Sequence, residues 1–428
     1  MFKKYHIQTR EAANRFVEPV RSGIIDWSSG CIGCLVCVKK LCPHQAYDRR
    51  GVDPATLQDR LDSTCQDCFR CVQSCPQRLI QKTRNPEFEA LGDSYWTPEI
   101  IATTWTQAQN GKIPVSGAGY GGPFSGEGFD SMWTDMSEIV RPTRDGIHGR
   151  EYISTSIQLG RRRDHLSFDP EGGLVEPWPP FLELPLPILF SLPPGLDFPP
   201  AVRESVQRAA ASLATLCLDR TPESLVWAAG PEELAGLART EPKAILAVDH
   251  RLGQDSPQEV VRLARAGAGV IHLLTDRHGR TSDGRFIKDE VRRVHLKLVE
   301  ESIRDQVTLL GSGGIAMAEH VAKAIICGLD GVVIDWPLLL ALECRCCPDC
   351  LPSSCPAGIE RVDPEWGAQR IMNLVGAWRD QLLEVMGAMG MREVRRLRGE
   401  VGRAMFLEDL EAEIMAPLFG GAQGGGAA

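Results

Sequence analysis

The sequence predicts an α/β fold: a TIM-like (β/α)8 barrel with one cysteine-rich domain before it and a cysteine-rich helical extension after it. Three observations predict this. From about Ala209 onward, short apolar runs alternate with segments whose apolar residues recur at helical spacing, the order of a parallel sheet with crossover helices. The cysteines cluster, eight between Cys31 and Cys75 and five between Cys344 and Cys355. The 428 residues leave room for two to four domains at roughly 100–200 residues each. The expected division is 1–95, 96–343, 344–415 and a Gly/Ala tail at 416–428 expected to be disordered.

Composition excludes several classes. The chain carries 47 basic and 56 acidic residues, a net charge of −9, with no basic stripe, so no nucleic-acid partner is expected. The longest apolar stretch, Ala322 to Leu342, is cut by Gly328, Asp330, Asp335 and Pro337 and falls short of the ~18 uninterrupted residues of a membrane span. The first residues, MFKKYHIQTREAANRF, lack the apolar core of a signal peptide, so a cytoplasmic location is expected. In a reducing compartment, 15 cysteines point to metal or redox chemistry rather than to disulfides.

The first cysteine segment explains itself chemically. Cys31, Cys34, Cys37 and Cys42 follow C-x2-C-x2-C-x4-C-P, and Cys65, Cys68, Cys71 and Cys75 follow C-x2-C-x2-C-x3-C-P. Three thiolates two residues apart on a tight loop reach three irons of one cubane, and a fourth thiolate follows a chain reversal. The second motif matches the bacterial ferredoxin run, and in two-cluster ferredoxins the fourth cysteine of each motif ligates the other cluster. Cys31, Cys34, Cys37 and Cys75 are therefore assigned to one 4Fe–4S cluster, and Cys65, Cys68, Cys71 and Cys42 to a second. A zinc ribbon is the plainer alternative, but it needs neither a third cysteine per loop nor the following proline. Two adjacent clusters imply electron transfer.

The next segments are read more coarsely. PEFEALGDSYWTPEII, between Arg84 and Asn110, is a linker. Residues 114–128 are glycine-rich, and residues 170–200 are too proline-rich for helix or central strand, apart from LPILF as one short buried strand. The barrel strands expected beyond are LATLCLD (213–219), SLVWAAG (224–230), AILAVDH (244–250), GVIHLLTD (269–276), VTLLGSG (307–313) and GVVIDW (331–336). An open, doubly wound sheet is the alternative arrangement of the same runs. His272 is read as a satisfied core histidine, and Trp105, Trp133 and Trp336 as core. The arginines of 161–163 and 392–403 are read as a solvated face or a docking surface for an acidic redox partner.

The second cysteine segment, CRCCPDCLPSSCP (344–356), has two readings. Cys344, Cys347, Cys350 and Cys355 repeat the spacing of the first motif and would hold a third, 4Fe–4S cluster; Cys346 is then the odd thiol. Cys344, Cys350 and Cys355 alone give C-x5-C-x4-C-P, which resembles the 3Fe–4S motif after the FMN barrel of glutamate synthases. The text from Val307 to Cys344 and the CPAGIER segment that follows also resemble that family, and SEIVRPTRDGIHGREYISTSIQLGR (137–161) is similar to its barrel entrance. The similarity spans about residues 100–415.

The resemblance implies FMN at the carboxyl ends of the strands. Its phosphate would lie on the turn at Gly311, Ser312, Gly313 and Gly314, whose backbone N–H groups can approach an anion closely, and its ring against Gly117, Ala118 and Gly119. The chain departs from the family in three places. Asp335 and Trp336 stand where small residues face the phosphate, which the Asp335 carboxylate would repel unless it turns away or pairs with a cation; AILAVDH lacks the family lysine and offers Arg251 beyond it; and the loop after GVIHLLTD carries Arg277, His278 and Arg280, which suits a small anionic substrate or is solvated surface. The ferredoxin motif follows closely on Met1, so no glutaminase half is expected. The implied activity is an iron–sulfur flavoprotein oxidoreductase that exchanges electrons with a redox protein or a larger complex. The alternative is a non-catalytic electron-transfer subunit with a degenerate barrel.

Overall fold

The computed structural model describes residues 5–16, 18–19, 24–27, 30, 32–34, 36, 42–43, 68–83, 85–113, 126–134, 152–163, 165–175, 178–347, 350, 352 and 355–415. Two compact units divide the chain. The smaller holds Ala13–Ala102 and Arg345–Asp349, and the larger holds Met1–Ala12, Thr103–Cys344 and Cys350–Ala428.

In the smaller unit, strand β1 (Ile24–Trp27) and helix α1 (Arg70–Gln73) precede strand β2 (Ile80–Thr83). β1 and β2 pair antiparallel, Ile24 opposite Thr83 and Trp27 opposite Ile80. This pairing joins the chain before the first cysteine motif to the chain after the second. Helix α2 (Pro86–Glu89) starts at Asn85, whose side chain accepts the Glu87 N–H at 3.0 Å, with Pro86 in the first turn, where its missing N–H costs nothing.

The larger unit takes the rest of helix α3 (Pro98–Asn110) from Thr103 on, followed by β3 (Met132–Thr134) and the antiparallel hairpin of β4 (Ile157–Gly160) and β5 (Phe181–Leu184). The sheet strands are β6 (Ile188–Phe190), β7 (Leu225–Ala228), β8 (Ile245–Arg251), β9 (Val270–Leu274), β10 (Thr308–Ser312) and β11 (Gly331–Ile334). They pair in parallel in the order β6-β11-β10-β9-β8-β7. Crossover helices are α4 (Pro200–Leu213), α5 (Pro231–Thr240), α6 (Ser256–Arg265), α7 (Ile287–Glu300) and α8 (Ala318–Cys327). Helices α9 (Trp336–Ala341) and α10 (Pro364–Ala388) follow β11. Strand β12 (Ala404–Phe406) then pairs back onto β3, and α11 (Leu407–Leu410) follows it. Among the described residues, no helix is long and apolar enough to cross a membrane.

This is the predicted α/β class in barrel order. Consecutive strands are neighbours from β7 to β11, and the first strand, β6, lies beside the last, as in a closing ring. Among the described residues the ring holds six strands, and a parallel bridge from Phe190 to Cys217 continues it on the far side of β6. LATLCLD is not a strand. Helix α4 runs through Leu213, Ala214 ends it in the left-handed conformation (φ 52°), and the Thr215 hydroxyl donates to Ile188 O at 2.6 Å. The alanine-rich run before it favours helix, so the strand narrows to the bridge at Cys217.

Side-chain alternation and register sort the faces of the sheet. Thr308, Leu310 and Ser312 share one face of β10, and their paired neighbours put Asp249, His272 and Gly331 on the same side. The β4–β5 hairpin covers the amino end of this face. Gly160 donates to Thr308 Oγ1 at 3.2 Å, and a Cβ on Gly331 would lie 2.9 Å from Ile157 Cδ1. This is the barrel interior, plugged at one end, so its carboxyl end is where a ligand can reach it.

A buried ion cluster ties the amino ends together. Arg304 Nη2 and Arg398 Nη1 donate to the two oxygens of Asp330 at 2.8 and 2.7 Å, and Arg304 Nε donates to His295 Nδ1 at 3.1 Å. Burial, then the charges of Arg304 and Arg398, pushes His295 down to about 4. Its folded value lies below its unfolded one, so the unfolded chain takes up the proton first. This stability is complete above about pH 6.5 and is lost as the pH falls toward 4. The urea midpoint of the larger unit should fall over that window, and His295→Gln should flatten the slope.

Candidate functional site

The first cysteine segment builds a small thiol-rich core. Cys71 and Ile80 are buried, and Cys42, Val72, Cys75 and Leu79 pack against them. Cys34 and Cys68 are exposed. Cys31, Cys37 and Cys65 lie outside the described residues, and among the described ones no three His, Cys, Asp or Glu side chains form a group set to hold a metal ion. The surroundings of Cys75 nevertheless suit a cluster ligand. Leu79 N–H points at its Sγ at 3.5 Å, from a turn in which Arg78 is left-handed (φ 54°). Burial opposes ionisation of this thiol, but the N–H groups of Leu79, Gln77, Arg78 and Ile80 together hold it below the ordinary range. The same donors lower the cost of negative charge on cluster sulfur.

In the second segment, Cys344 is buried and Cys350 and Cys355 are half-buried in the larger unit, while buried Cys346 and half-buried Cys347 belong to the smaller. Burial, with the nearby Cys344 thiolate as a further cause, pushes the Cys355 thiol up, against the N–H groups of Ala357 and Ile359. The turn that aims those groups depends on Gly358 at φ 63°, whose N–H donates to Cys355 O at 2.8 Å. Two neighbouring thiols with backbone donors aimed at one of them fit a cluster-ligand pair.

The carboxyl end of the sheet interior is the polar end. After Ser312 the chain turns through Gly313 (φ 96°) and Gly314 (φ 68°) into α8. Glycine is obligatory at Gly313, because a Cβ there would lie 2.1 Å from Thr275 Oγ1 and 2.4 Å from Asp276 O. This is the turn predicted to approach a phosphate. Of the alternatives left open for Asp335, the side chain turns onto the chain. It accepts the Trp336 N–H at 2.6 Å at the start of α9, and burial pushes it up to about 6. Trp336 is buried, with the Arg277 guanidinium 5.6 Å from its ring centre. Arg251 shares the interior side of β8 with Asp249 and is exposed at its end. Arg280 is paired with Glu127, and Arg277 Nε donates to His278 Nε2 at 3.0 Å. Gly117, Ala118 and Gly119 lie outside the described residues.

His272, expected to be a satisfied core histidine, is buried and has a partner on each ring nitrogen. His272 on β9 bonds Asp249 Oδ1 of β8 through Nδ1 at 2.9 Å and Ser312 Oγ of β10 through Nε2 at 3.1 Å. Trp227 on β7 meets the imidazole edge-on, with ring centres 6.3 Å apart. The polar residues of AILAVDH and VTLLGSG were visible, but not the register that brings them together.

Known proteins match both halves of this arrangement. The conserved region in glutamate synthase matches residues 281–392, from the loop after β9 through α10, and a 4Fe-4S dicluster domain matches residues 24–85. An archaeal-type glutamate synthase [NADPH] of Dehalococcoides mccartyi is 24% identical, the alignment covering 86% of this chain and 92% of that protein. An archaeal glutamate synthase [NADPH] of Archaeoglobus fulgidus is also 24% identical, over 90% of this chain and 94% of the relative. One from Methanocaldococcus jannaschii is 31% identical over 179 residues, 38% of this chain and 35% of that protein. Among solved structures, a lactate oxidase of Pediococcus acidilactici is 13% identical with a TM-score of 0.37, over 69% of this chain and 92% of that one, a likeness too loose to place any residue. The chain thus carries a region similar to the conserved region of glutamate synthases within an α/β sheet in barrel order, and ahead of it a stretch that matches a 4Fe-4S dicluster domain.

Proposed function

We propose that this protein is an iron–sulfur flavoprotein oxidoreductase that moves electrons between a substrate at the carboxyl end of its sheet and an external redox carrier. One observation carries the reading: a single chain joins a match to a 4Fe-4S dicluster domain to a glutamate synthase region in which a left-handed glycine turn, Gly313–Gly314, follows the strand before the last. Backbone N–H groups of that turn would hold the phosphate of FMN, with Gly117–Gly119 beside its ring and Arg251 supplying the interior cation. The bound flavin would supply two-electron exchange with the substrate and one-electron exchange with the clusters. The cluster ligands are Cys31, Cys34, Cys37 and Cys75 for the first, Cys65, Cys68, Cys71 and Cys42 for the second, and Cys344, Cys350 and Cys355, with or without Cys347, for the third. The names of the relatives make glutamate formation the activity to assay first, and the cationic loop of Arg277 and His278 suits a small carboxylate substrate.

A second reading has its own observation. Asp335 and the buried Trp336 occupy the turn after the last strand, where an anion would need room. That favours a barrel without flavin, serving as the scaffold of an electron-transfer subunit. Anaerobically prepared protein, assayed for iron, sulfide and flavin together, separates the two. Iron with a stoichiometric flavin supports the oxidoreductase. Iron with no flavin after FMN supplementation leaves the carrier, and protein without iron removes both. EPR of the oxidised protein types the third cluster, since 3Fe–4S is paramagnetic in that state and ordinary 4Fe–4S is silent.

A further inference from the structure

We propose that Asp249, His272 and Ser312 form a proton relay whose inner end, the Ser312 hydroxyl, exchanges a proton with an O–H or N–H group of the bound substrate. The identity of the reaction it serves rests on the flavoprotein reading; the relay itself rests on geometry.

The three residues lie on adjacent parallel strands. Asp249 is directly opposite His272, His272 is opposite Leu310, and Ser312 is one pleat further along the same face. Both imidazole nitrogens are engaged, at 2.9 Å to the carboxylate and 3.1 Å to the hydroxyl. The His272 side chain is 5% exposed, whereas that of Asp249 is 57% exposed. The array thus has a wet end at Asp249, a dry middle at His272, and an inner end at Ser312, the last residue of β10 before the glycine turn. A base oriented by a carboxylate and bonded to a hydroxyl is the arrangement by which proteins move protons.

The step is a proton transfer with no electron moved. In one direction the substrate O–H or N–H proton passes to Ser312 Oγ as the serine's own proton passes to His272 Nε2. The imidazolium is held by the Asp249 carboxylate, and its Nδ1 proton leaves through Asp249 to water. In the other direction each transfer reverses. Ser312 is the catalytic group, because it touches the substrate; His272 and Asp249 position and charge it. The groups facing the imidazole are Asp249 from β8, Ser312 from β10 and the Trp227 ring from β7, with Arg251 one pleat beyond on the side of Asp249.

Trp227 supplies a readout independent of turnover, because a protonated imidazole quenches a neighbouring indole. In the full chain, the part of the tryptophan emission that Trp227→Phe removes should change with pH. His272→Gln should abolish the change. In flavin-loaded protein, Ser312→Ala should lower kcat by about 10²–10⁴-fold with KM little changed, and Ser312→Thr, which keeps the hydroxyl, should recover to within about tenfold. If His272→Gln leaves the Trp227 titration intact, or folded Ser312→Ala turns over normally, the relay is wrong. If Ser312→Ala does not fold, the exposed Asp249→Asn variant decides: unchanged kcat in the flavin-loaded protein overturns the relay, and a loss of about tenfold or more supports it. Flavin-bound protein without the titration defeats the relay alone. The titration in protein that binds no flavin supports the relay and defeats the flavoprotein reading.

Discussion

Replacing Cys71 by alanine is expected to remove about four irons from the anaerobic protein, one 4Fe–4S cluster, and to leave the parallel sheet folded. Cys71 is the buried centre of the group that also contains Cys42 and Cys75, and it is assigned to the second cluster with Cys65, Cys68 and Cys42. Cys42→Ser should have the same effect although it lies in the first motif, because the fourth ligands cross between clusters. Cys217 and Cys327 provide the contrast. Burial pushes the Cys217 thiol up to about 11 and the Cys327 thiol up to about 12, so both stay protonated at neutral pH, whereas Cys75 is held low by backbone donors. Cys217→Ala and Cys327→Ala should therefore leave iron and acid-labile sulfide unchanged. Full iron content in Cys71→Ala, or iron lost from Cys217→Ala, would falsify the ligand assignment.

The second large effect is on stability. Asp330→Ala should destabilise the larger unit by about 3–5 kcal/mol, measured by chemical denaturation followed by circular dichroism. Asp330 accepts from Arg304, from Arg398 and from the Leu309 N–H, the last at 2.8 Å. Burial opposes its charge, but Arg304 and Arg398 hold it below the usual carboxylate range. The Arg304 side chain is 4% exposed, so without Asp330 it remains a buried charge facing the like charge of Arg398. The penalty comes from that stranded charge, not from the intrinsic worth of the pair. Replacing Asp330 by Leu together with Arg304 by Met should accordingly recover much of the loss. A single-variant cost below about 1 kcal/mol, the value of a surface pair, would show that water reaches the cluster.

Particular residues show how much was legible beforehand. The runs around Val226, Val248, Leu273, Leu310 and Val333 predicted five of the parallel strands, because a strand packed into the core of a parallel sheet is largely apolar. LPILF predicted β6 despite its proline and the proline-rich chain around it. LATLCLD failed, because helix propensity in the alanine-rich stretch before it carried the chain through Leu213 and left only the bridge at Cys217. Gly313 and Gly314 were recognisable as a turn, and their positive φ angles bear that out. For Asp335 the residue types left open whether the carboxylate faces an anion or turns away; its bond to the Trp336 N–H depends on the start of α9.

By itself the sequence determined the chemistry that is local along the chain: the cysteine spacings of a dicluster domain and the glycine turn. It also determined the α/β order, because ligand spacing, turn geometry and apolar periodicity act over a few residues. Only the tertiary structure decided which strands are neighbours and in what register. That register puts Asp249, His272 and Ser312 on one face and gathers Arg304, Arg398 and Asp330 under the other end of the sheet. A shift of one residue in any strand would turn those side chains to the opposite face, and no property of a single strand specifies that shift.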